Sequence, residues 1–153
     1  MNSLQGLSNL SYSMTKEEYK LLEKDDLELM KEIIEDDDME FELSNLTRFL
    51  QDNNNYGFIA KENNKIIGFI YGYSLLKPNG KYMFYVHSVG VLPYYQGKGI
   101  GKELFKYMVE YLENEKKSYK YFLLTAEDNI IAQKLYRKHS NKECLQVYFE
   151  KNF

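Results

Sequence analysis

The hydrophobic pattern changes period between residues 56 and 117, and this change limits the folds that the chain can adopt. Three runs rich in Ile, Val, Tyr and Phe come first, at Tyr56–Lys61, Lys65–Leu76 and Lys81–Leu92. Turn sequences at Asn63-Asn64 and Pro78-Asn79-Gly80 separate them, so an antiparallel meander is predicted. From Lys102 to Lys117 the apolar residues recur at helical spacing, which predicts a long amphipathic helix.

The flanks of this central region add shorter elements. Strands are predicted at Thr15–Glu23, Tyr119–Ala126 and Glu143–Phe149, and helices at Leu27–Glu35, Ser44–Asp52 and from about Asn129 to His139. The expected N-caps of the three helices are Asp25 or Asp26, Ser44, and Asp128 or Asn129. The order βααβββαβαβ indicates an α/β (α+β) fold, with a mixed twisted sheet flanked by helices. One domain is expected over residues 15–153, preceded by a flexible, polar N-terminal extension at residues 1–14.

Composition excludes several classes of function. A length of 153 residues suits one domain, and a net charge of -3 argues against a nucleic-acid partner. The single cysteine, Cys144, and the absence of zinc-ligand spacing favour a metal-free protein in a reducing compartment. There is no apolar run of membrane length and no signal-peptide pattern, so a cytoplasmic protein without a membrane partner is expected.

The turn before the long helix contains three glycines, Gly97, Gly99 and Gly101. Without side chains, such a turn lets successive backbone N–H groups converge on one anion, and the helix N-terminus adds a positive dipole potential. A phosphate or pyrophosphate site is therefore predicted. The spacing fits neither the P-loop, which needs GxxxxGK followed by Ser or Thr, nor the dinucleotide fingerprint GxGxxG.

Two blocks of sequence resemble the Gcn5-related N-acetyltransferase (GNAT) superfamily. Gln96, Gly99 and Gly101 match its acetyl-CoA loop, Gln/Arg-x-x-Gly-x-Gly/Ala, between a strand and a helix. Downstream, Asn129-x-x-Ala132-x-x-Leu135-Tyr136 matches its second block. The resemblance covers about residues 56 to 138 and implies the superfamily's N-acyltransferase fold and acetyl-CoA as co-substrate, with no metal.

The resemblance also implies a set of cofactor-binding residues. Backbone amides of the loop would bind the CoA pyrophosphate, while the preceding strand and an asparagine would hold the pantetheine arm. The residues expected in these roles are Val89, Gly90, Val91, Gln96, Gly97, Lys98, Gly99, Ile100, Gly101, Lys102 and Asn129. The side chains of Lys98 and Lys102 either pair with CoA phosphates or are solvated surface lysines.

Tyr136 lies at the position of the superfamily's general acid, which protonates the leaving thiolate. A tyrosine hydroxyl suits this task because its ordinary pKa, about 10, is only about 1.5 units above that of a thiol. The alternative is that Tyr136 is one of 15 tyrosines and simply packs in the core.

His87 is the candidate base. The string His87-Ser88-Val89-Gly90-Val91 resembles a strand of arylalkylamine N-acetyltransferases, in which a histidine relays the proton of the substrate. The alternative is a packed strand histidine. Aminoglycoside 3-N-acetyltransferase-like members carry a carboxylate where this chain has Ser88, which argues against direct base catalysis by a carboxylate at this position. A base that acts through a water molecule held by Glu127 or by an N-terminal acid is a further alternative.

The expected reaction is direct transfer of an acetyl group to a primary amine in a ternary complex. An acidic run from Asp36 to Glu40 would attract a small amine, a polyamine or an aminoglycoside, or is a solvated loop. Protein N-termini and lysines are alternative acceptors. The alternative from another class of function is a non-catalytic acyl-CoA-binding regulatory module. Either a monomer or a homodimer fits the sequence.

Overall fold

The computed structural model describes residues 16–153, which form one mixed sheet with four α-helices around it. The predicted residues 1–14 lie outside this described part. The strands are β1 (Glu18–Leu21), β2 (Asn55–Glu62), β3 (Lys65–Leu76), β4 (Tyr82–Val91) and β5 (Ser118–Leu123). The helices are α1 (Lys31–Asp36), α2 (Leu43–Gln51), α3 (Ile100–Glu115) and α4 (Ile130–His139), with 3₁₀ helices at Lys24–Met30 and Pro93–Tyr95.

The strands follow the order β1-β2-β3-β4-β5. The first four pair in an antiparallel manner, and for β2, β3 and β4 this is the meander that the two turn sequences predict. β5 pairs with β4 in a parallel manner. A parallel neighbour needs a crossover connection, and α3 supplies it. The predicted fold class, a mixed sheet flanked by helices, is confirmed.

Each face of the sheet has its own hydrophobic cluster. On one face, α3 packs through Leu104, Phe105 and Met108 against Phe58 and Phe84. The other face is covered by the 3₁₀ helix at Lys24–Met30 with α1 and α2, and its cluster is formed by Leu22, Leu27, Met30, Ile33, Ile34, Leu46, Ile59, Ile66, Phe69 and Leu92. The site described below lies where these two layers meet the end of β4.

The N-terminal elements differ in detail from the prediction. The first strand is confined to Glu18–Leu21, and the predicted helix Leu27–Glu35 begins as a 3₁₀ helix with Glu23 as its N-cap. The Asp26 carboxylate explains this start, because it accepts the Glu23 N–H at 3.1 Å and pairs with Lys20 at 3.0 Å and Lys61 at 3.3 Å. Asp26 is therefore the third residue of the first turn and forms a capping box with Glu23, and the prediction of Asp25 or Asp26 as the N-cap itself is wrong.

The starts of α2 and α4 test two further predicted caps. The second helix begins at Leu43 after Glu42, so the predicted cap Ser44 is wrong. Asn129 is confirmed as the cap of α4, since its Oδ1 accepts the Ala132 N–H at 3.2 Å.

The predicted strand Glu143–Phe149 is wrong. Residues 140–153 form neither helix nor strand, and every one of them is exposed. An alternating apolar pattern forms a strand only when it can pair with an edge, and within residues 16–153 this segment pairs with none. No α-helix in the described range is both long and apolar enough to cross a bilayer.

Candidate functional site at the end of strand β4

The parallel pairing of β4 with β5 ends before β4 does. The last paired residues are Val86 and Leu123, whereas β4 continues to Val91. From Ser88 to Val91 the strand pairs only with β3. The side of β4 that faces away from β3 therefore offers backbone N–H and C=O groups to an extended ligand, in the way a sheet edge accepts another strand.

The chain leaves β4 through the glycine turn. The Gln96 side chain donates a hydrogen bond from Nε2 to the Val91 carbonyl at 3.0 Å, which holds the turn against the end of the strand. Gly97 and Gly99 have φ values of 75° and 84°, a region that residues with a Cβ rarely adopt. A Cβ placed at either glycine would meet no atom within 4 Å, so the turn is open and is not filled by the protein's own side chains.

Helix α3 begins directly at this turn. Gly99 is its N-cap and, having no side chain, leaves the first amides uncapped, while its carbonyl accepts the Glu103 N–H at 3.0 Å. The N–H groups of Ile100, Gly101 and Lys102 have no preceding turn of helix to bind. Together with the helix dipole, these donors form a site that suits a phosphate oxygen. The glycine turn predicted from the sequence is therefore open and leads into uncapped N–H donors of α3.

The Lys98 side chain lies over an aromatic ring. Its Nζ is 4.3 Å from the centroid of the Tyr94 ring, in a cation–π contact. The positive charge of Lys98 thus stays beside the turn, where it adds to the positive potential of the helix N-terminus.

His87 occupies a β-bulge. Tyr71 pairs with Ser88 and the next β3 residue, Gly72, pairs with Val86, so His87 is the additional residue on β4. A bulge turns a side chain away from the regular alternation. His87 stacks on Tyr71, with ring centroids 5.2 Å apart, and meets Tyr73 and Tyr85 edge-on.

Tyr71, Tyr73, Tyr85 and His87 form what we call the aromatic cluster. Burial, and then the neighbouring Tyr73, Asp37 and Tyr85, raise the pKa of Tyr71 to about 12, so its hydroxyl stays neutral. The spacing of Tyr71 and Tyr73 at i and i+2 on one strand is the signal that could have revealed this cluster, because such residues share a face.

One member of the acidic run reaches this cluster. The Ser88 hydroxyl, next to His87, donates to the Asp37 carboxylate at 3.4 Å. A carboxylate beside stacked aromatic rings forms a surface that favours cations. Asp36 lines a separate cleft of about 690 Å³ between α1 and Leu92–Tyr95, together with Glu32 and Glu35.

Tyr136 lies on the other face of the sheet. Its ring packs against Phe105 of α3, with centroids 5.2 Å apart, and burial raises the pKa of its hydroxyl. No other charge or hydrogen bond contributes to this shift in pKa. Asn129 uses its side-chain oxygen as the cap of α4, which leaves its amide NH₂ as the group free to donate to a ligand.

The sequence-predicted residues lie in different layers of the molecule. The turn Gln96–Lys102 follows β4, Tyr136 packs in the layer of α3, and His87 belongs to the opposite face. Cys144 is exposed in the C-terminal segment, and its Sγ accepts a hydrogen bond from Gln146 Nε2 at 3.6 Å.

Comparison with known proteins agrees with this geometry. A family model described as "Acetyltransferase (GNAT) family" matches residues 18–140, while no curated protein sequence gives a significant match. One similar structure is an aminoglycoside acetyltransferase from an uncultured soil metagenomic sample in complex with sisomicin, with 22% identity and a TM-score of 0.70 over 89% of this chain and 97% of that one.

Two further structures show the same likeness. Aminoglycoside N-acetyltransferase AAC(6')-Iy in complex with CoA is 21% identical, with a TM-score of 0.70 over 89% of this chain and 99% of that one. A ribosomal-protein-alanine N-acetyltransferase from Brucella melitensis biovar Abortus 2308 is 21% identical, with a TM-score of 0.71 over 90% of this chain and 100% of that one.

The fold and the family match together define the class: this protein is an N-acetyltransferase, an acyltransferase enzyme. The chain belongs to the GNAT family of acetyltransferases, since the family model covers most of its length.

Proposed function

We propose that this enzyme transfers the acetyl group of acetyl-CoA to the primary amine of a small cationic molecule, by direct attack in a ternary complex. One observation carries the proposal: the unpaired edge of β4 leads into an open glycine turn at the N-terminus of α3. An extended pantetheine arm and a pyrophosphate require these two surfaces in this order.

The residues present fit the cofactor. Gly97 and Gly99 leave room for a phosphate, and the amides of Ile100, Gly101 and Lys102 supply N–H donors. Backbone groups of Val89, Gly90 and Val91 would hold the pantetheine arm, with the Asn129 NH₂ as a further donor. Lys98 and Lys102 would pair with phosphate oxygens, and Gln96 would act indirectly by fixing the turn to Val91.

When bound, acetyl-CoA supplies an acetyl thioester, which an amine attacks and which releases a thiolate. In our proposal Tyr136 donates its hydroxyl proton to that thiolate. Burial raises the pKa of this hydroxyl, so it is protonated at neutral pH and is a weaker acid than an exposed tyrosine. Direct transfer without an acyl-enzyme is supported by the position of the single cysteine, Cys144, which follows α4 and belongs neither to the glycine turn nor to β4.

The amine must lose a proton before it attacks. An alkylamine with a pKa near 10.4 is unprotonated in only about one molecule in 2,500 at pH 7, so a group that accepts this proton accelerates the reaction. We assign this role to His87, which the bulge exposes beside the open edge of β4. A water molecule held by Glu127 or by Asp37 is the alternative route.

The proposed acceptor is a small cation with a primary amine, such as a polyamine or an aminoglycoside. The contact between Ser88 and Asp37 places a carboxylate beside the aromatic cluster, and both surfaces favour cations. The metagenomic neighbour was solved with sisomicin, an aminoglycoside ligand of that protein. A protein N-terminus is the second candidate acceptor, because another neighbour is a ribosomal-protein-alanine N-acetyltransferase.

The test of the proposed function is steady-state thiol release from acetyl-CoA with a panel of polyamines, aminoglycosides, amino acids and peptides, with product masses confirmed. Replacement Tyr136→Phe should lower kcat about 100-fold, the effect of losing a general acid, with little change in CoA affinity measured by calorimetry. The matched control is Tyr119→Phe, which removes the same atom from an exposed tyrosine on β5 and should leave kcat unchanged.

Three outcomes would contradict the proposal at different points. Equal kcat in wild type and Tyr136→Phe would remove Tyr136 from the mechanism. CoA binding without product for any amine would favour the non-catalytic acyl-CoA-binding module. Absence of a calorimetric signal with CoA would exclude the glycine turn as the cofactor site.

A further inference from the structure

Three tyrosine hydroxyl groups of the aromatic cluster lie close together. Tyr71 and Tyr73 are two positions apart on β3, and Tyr73 pairs with Tyr85 on β4, so the three side chains stand on one face of the sheet. Burial is the main cause that raises the pKa of Tyr71 and of Tyr73, and in both a neighbouring tyrosine of the cluster contributes next. Since one hydroxyl group affects the titration of another only at short range, the polar ends of the three side chains converge.

Further aromatic rings hold these tyrosines in place. Phe49 of α2 meets Tyr71 and Tyr73 edge-on, with ring centroids 6.0 Å and 6.1 Å apart. Phe122 of β5 stacks on Tyr85, with centroids 5.0 Å apart. Rings that pack in this way keep their orientation, so little conformational entropy is lost when a ligand binds to them. The cluster is therefore a preorganised surface.

Two of the three hydroxyls are available to a ligand. The Tyr71 hydroxyl contacts the Met39 Sδ at 4.0 Å, whereas no group of residues 16–153 forms a hydrogen bond with the hydroxyl of Tyr73 or of Tyr85. A tyrosine hydroxyl both donates and accepts a hydrogen bond. A ligand that displaces water from these hydroxyls must replace both kinds of bond, because an unpaired polar group costs affinity.

This requirement distinguishes between the candidate acceptors. An ammonium group only donates, and a methylene chain does neither, so a linear polyamine offers no acceptor to a tyrosine O–H. A hydroxyl group donates and accepts, and a saturated six-membered ring has an apolar face that suits aromatic rings. Asp37, which contacts Ser88 at 3.4 Å, brings a carboxylate for an ammonium group.

We propose that Tyr73 and Tyr85 determine the acceptor specificity of this enzyme. Their hydroxyls bind the hydroxyl groups of a saturated ring that carries the primary amine, as in an amino sugar or an aminocyclitol, and so select it over a linear polyamine. The reacting amine faces His87, and a second ammonium group pairs with Asp37. This inference rests on the proposed function, because it assumes that the acceptor approaches β4 from the side of His87.

The first experiment compares three diamines with the same spacing between their amino groups. One is 2-deoxystreptamine, a cyclohexane ring with hydroxyl groups; cis-1,3-diaminocyclohexane lacks the hydroxyls, and 1,3-diaminopropane also lacks the ring. The wild type should have the highest kcat/KM for 2-deoxystreptamine and the lowest for 1,3-diaminopropane. An equal or higher kcat/KM for 1,3-diaminopropane would overturn the proposal.

The second experiment removes each hydroxyl and keeps its ring, in Tyr73→Phe and Tyr85→Phe. The quantity compared is the selectivity, which is kcat/KM for 2-deoxystreptamine divided by kcat/KM for cis-1,3-diaminocyclohexane, because the intrinsic reactivity of each amine then cancels between wild type and variant. The selectivity should fall about three- to tenfold in each variant, the effect of one lost hydrogen bond.

The matched control is Tyr119→Phe, which removes the hydroxyl of an exposed tyrosine outside the cluster and should keep the wild-type selectivity. Circular dichroism checks that all three variants are folded. Wild-type selectivity in both Tyr73→Phe and Tyr85→Phe would overturn the proposal.

A binding measurement separates this inference from the proposed function, because it does not depend on acetyl transfer. Saturation-transfer nuclear magnetic resonance with CoA-loaded protein should show 2-deoxystreptamine bound to the wild type, and much less to the double variant Tyr73→Phe, Tyr85→Phe. That result without any acetylated product would support this inference and contradict the proposed function. Acetylated product with equal binding in the double variant would overturn this inference alone, and absence of binding to the wild type would also overturn it.

Discussion

The central sheet and the C-terminal region have equally regular hydrophobic patterns, but only the first buries them. In the described range every fully buried apolar side chain lies between Leu22 and Leu112. β5, α4 and the segment after α4 contribute none, although their apolar residues recur at the periods of a strand and a helix. The difference shows that periodicity indicates which face would be buried, while burial itself needs a second surface.

The largest expected effect contrasts a buried with an exposed apolar residue. Replacement Leu104→Ala should lower the free energy of unfolding by about 2–5 kcal/mol, because Leu104 is fully buried under the sheet. The counterpart Ile131→Ala on α4, whose side chain is 87% exposed, should change it by less than about 0.5 kcal/mol. Urea denaturation measures both, and equal costs would contradict the contrast.

A second prediction concerns the bulge of β4, inside the packed region. A Cβ on Gly72 would lie 2.2 Å from the Tyr85 carbonyl oxygen, so Gly72→Ala should cost about 3 kcal/mol in the free energy of unfolding. The matched control is Gly90→Ala, whose Cβ would come no closer than 4.0 Å to its nearest neighbour. Thermal denaturation should give a lower melting temperature for Gly72→Ala than for Gly90→Ala. An unchanged melting temperature in Gly72→Ala would mean that the sheet tolerates a shift of the backbone at the bulge.

The packed region also contains a buried charge, which makes its stability depend on pH. Burial acts to raise the pKa of Asp26, but hydrogen bonds from Lys20, the Glu23 amide and Lys61 outweigh it, so the pKa lies below its ordinary value. A lowered pKa stabilises the folded state above the unfolded value, near 3.9, and this contribution is lost as the pH falls through the folded pKa.

Replacement Asp26→Asn should therefore cost about 1–2 kcal/mol at pH 7, and the difference from the wild type should shrink below about pH 4. Urea denaturation at several pH values measures it. A difference that stays constant down to pH 2 would assign the effect to packing and not to the charge of Asp26.

The smallest expected effect tests the glycine turn by ligand binding. Gly99→Ala introduces a Cβ at a φ of 84° and should cost about 1 kcal/mol in stability and several-fold in CoA affinity, because the turn amides move. Gly80→Ala is the control, since its φ is 79° and it also lies in open space, but it belongs to a hairpin turn. Calorimetry measures the CoA affinity of both variants. Similar losses of affinity in the two would mean that CoA binding does not depend on the glycine turn.

Local sequence predicted most of the elements that form this site. Their signals are local, because each residue shapes the backbone only a few positions away. This holds for the turn residues between β2, β3 and β4, for the glycines at 97, 99 and 101, and for the cap Asn129. For this reason the meander, the loop before α3 and the start of α4 could be predicted from the sequence.

Other features depend on distant residues and could not be predicted in this way. The burial of Asp26 in the first turn after β1 depends on its ion pair with Lys61 on β2, which is 35 positions away. The bulge that exposes His87 arises from the register between β3 and β4, and the aromatic cluster depends on that register. The assignment of Tyr136 to catalysis remains a prediction that Tyr136→Phe tests, and the assignment of His87 remains a prediction.

The sequence by itself determined the meander, the open turn at the N-terminus of α3 and the family, because these follow from periodicity and short motifs. Only the tertiary structure decided where β4 loses its partner, which face His87 occupies, and that residues 143–149 pair with nothing in their own chain. The physical reason is that strand pairing and burial are properties of two surfaces, whereas a sequence pattern describes only one of them.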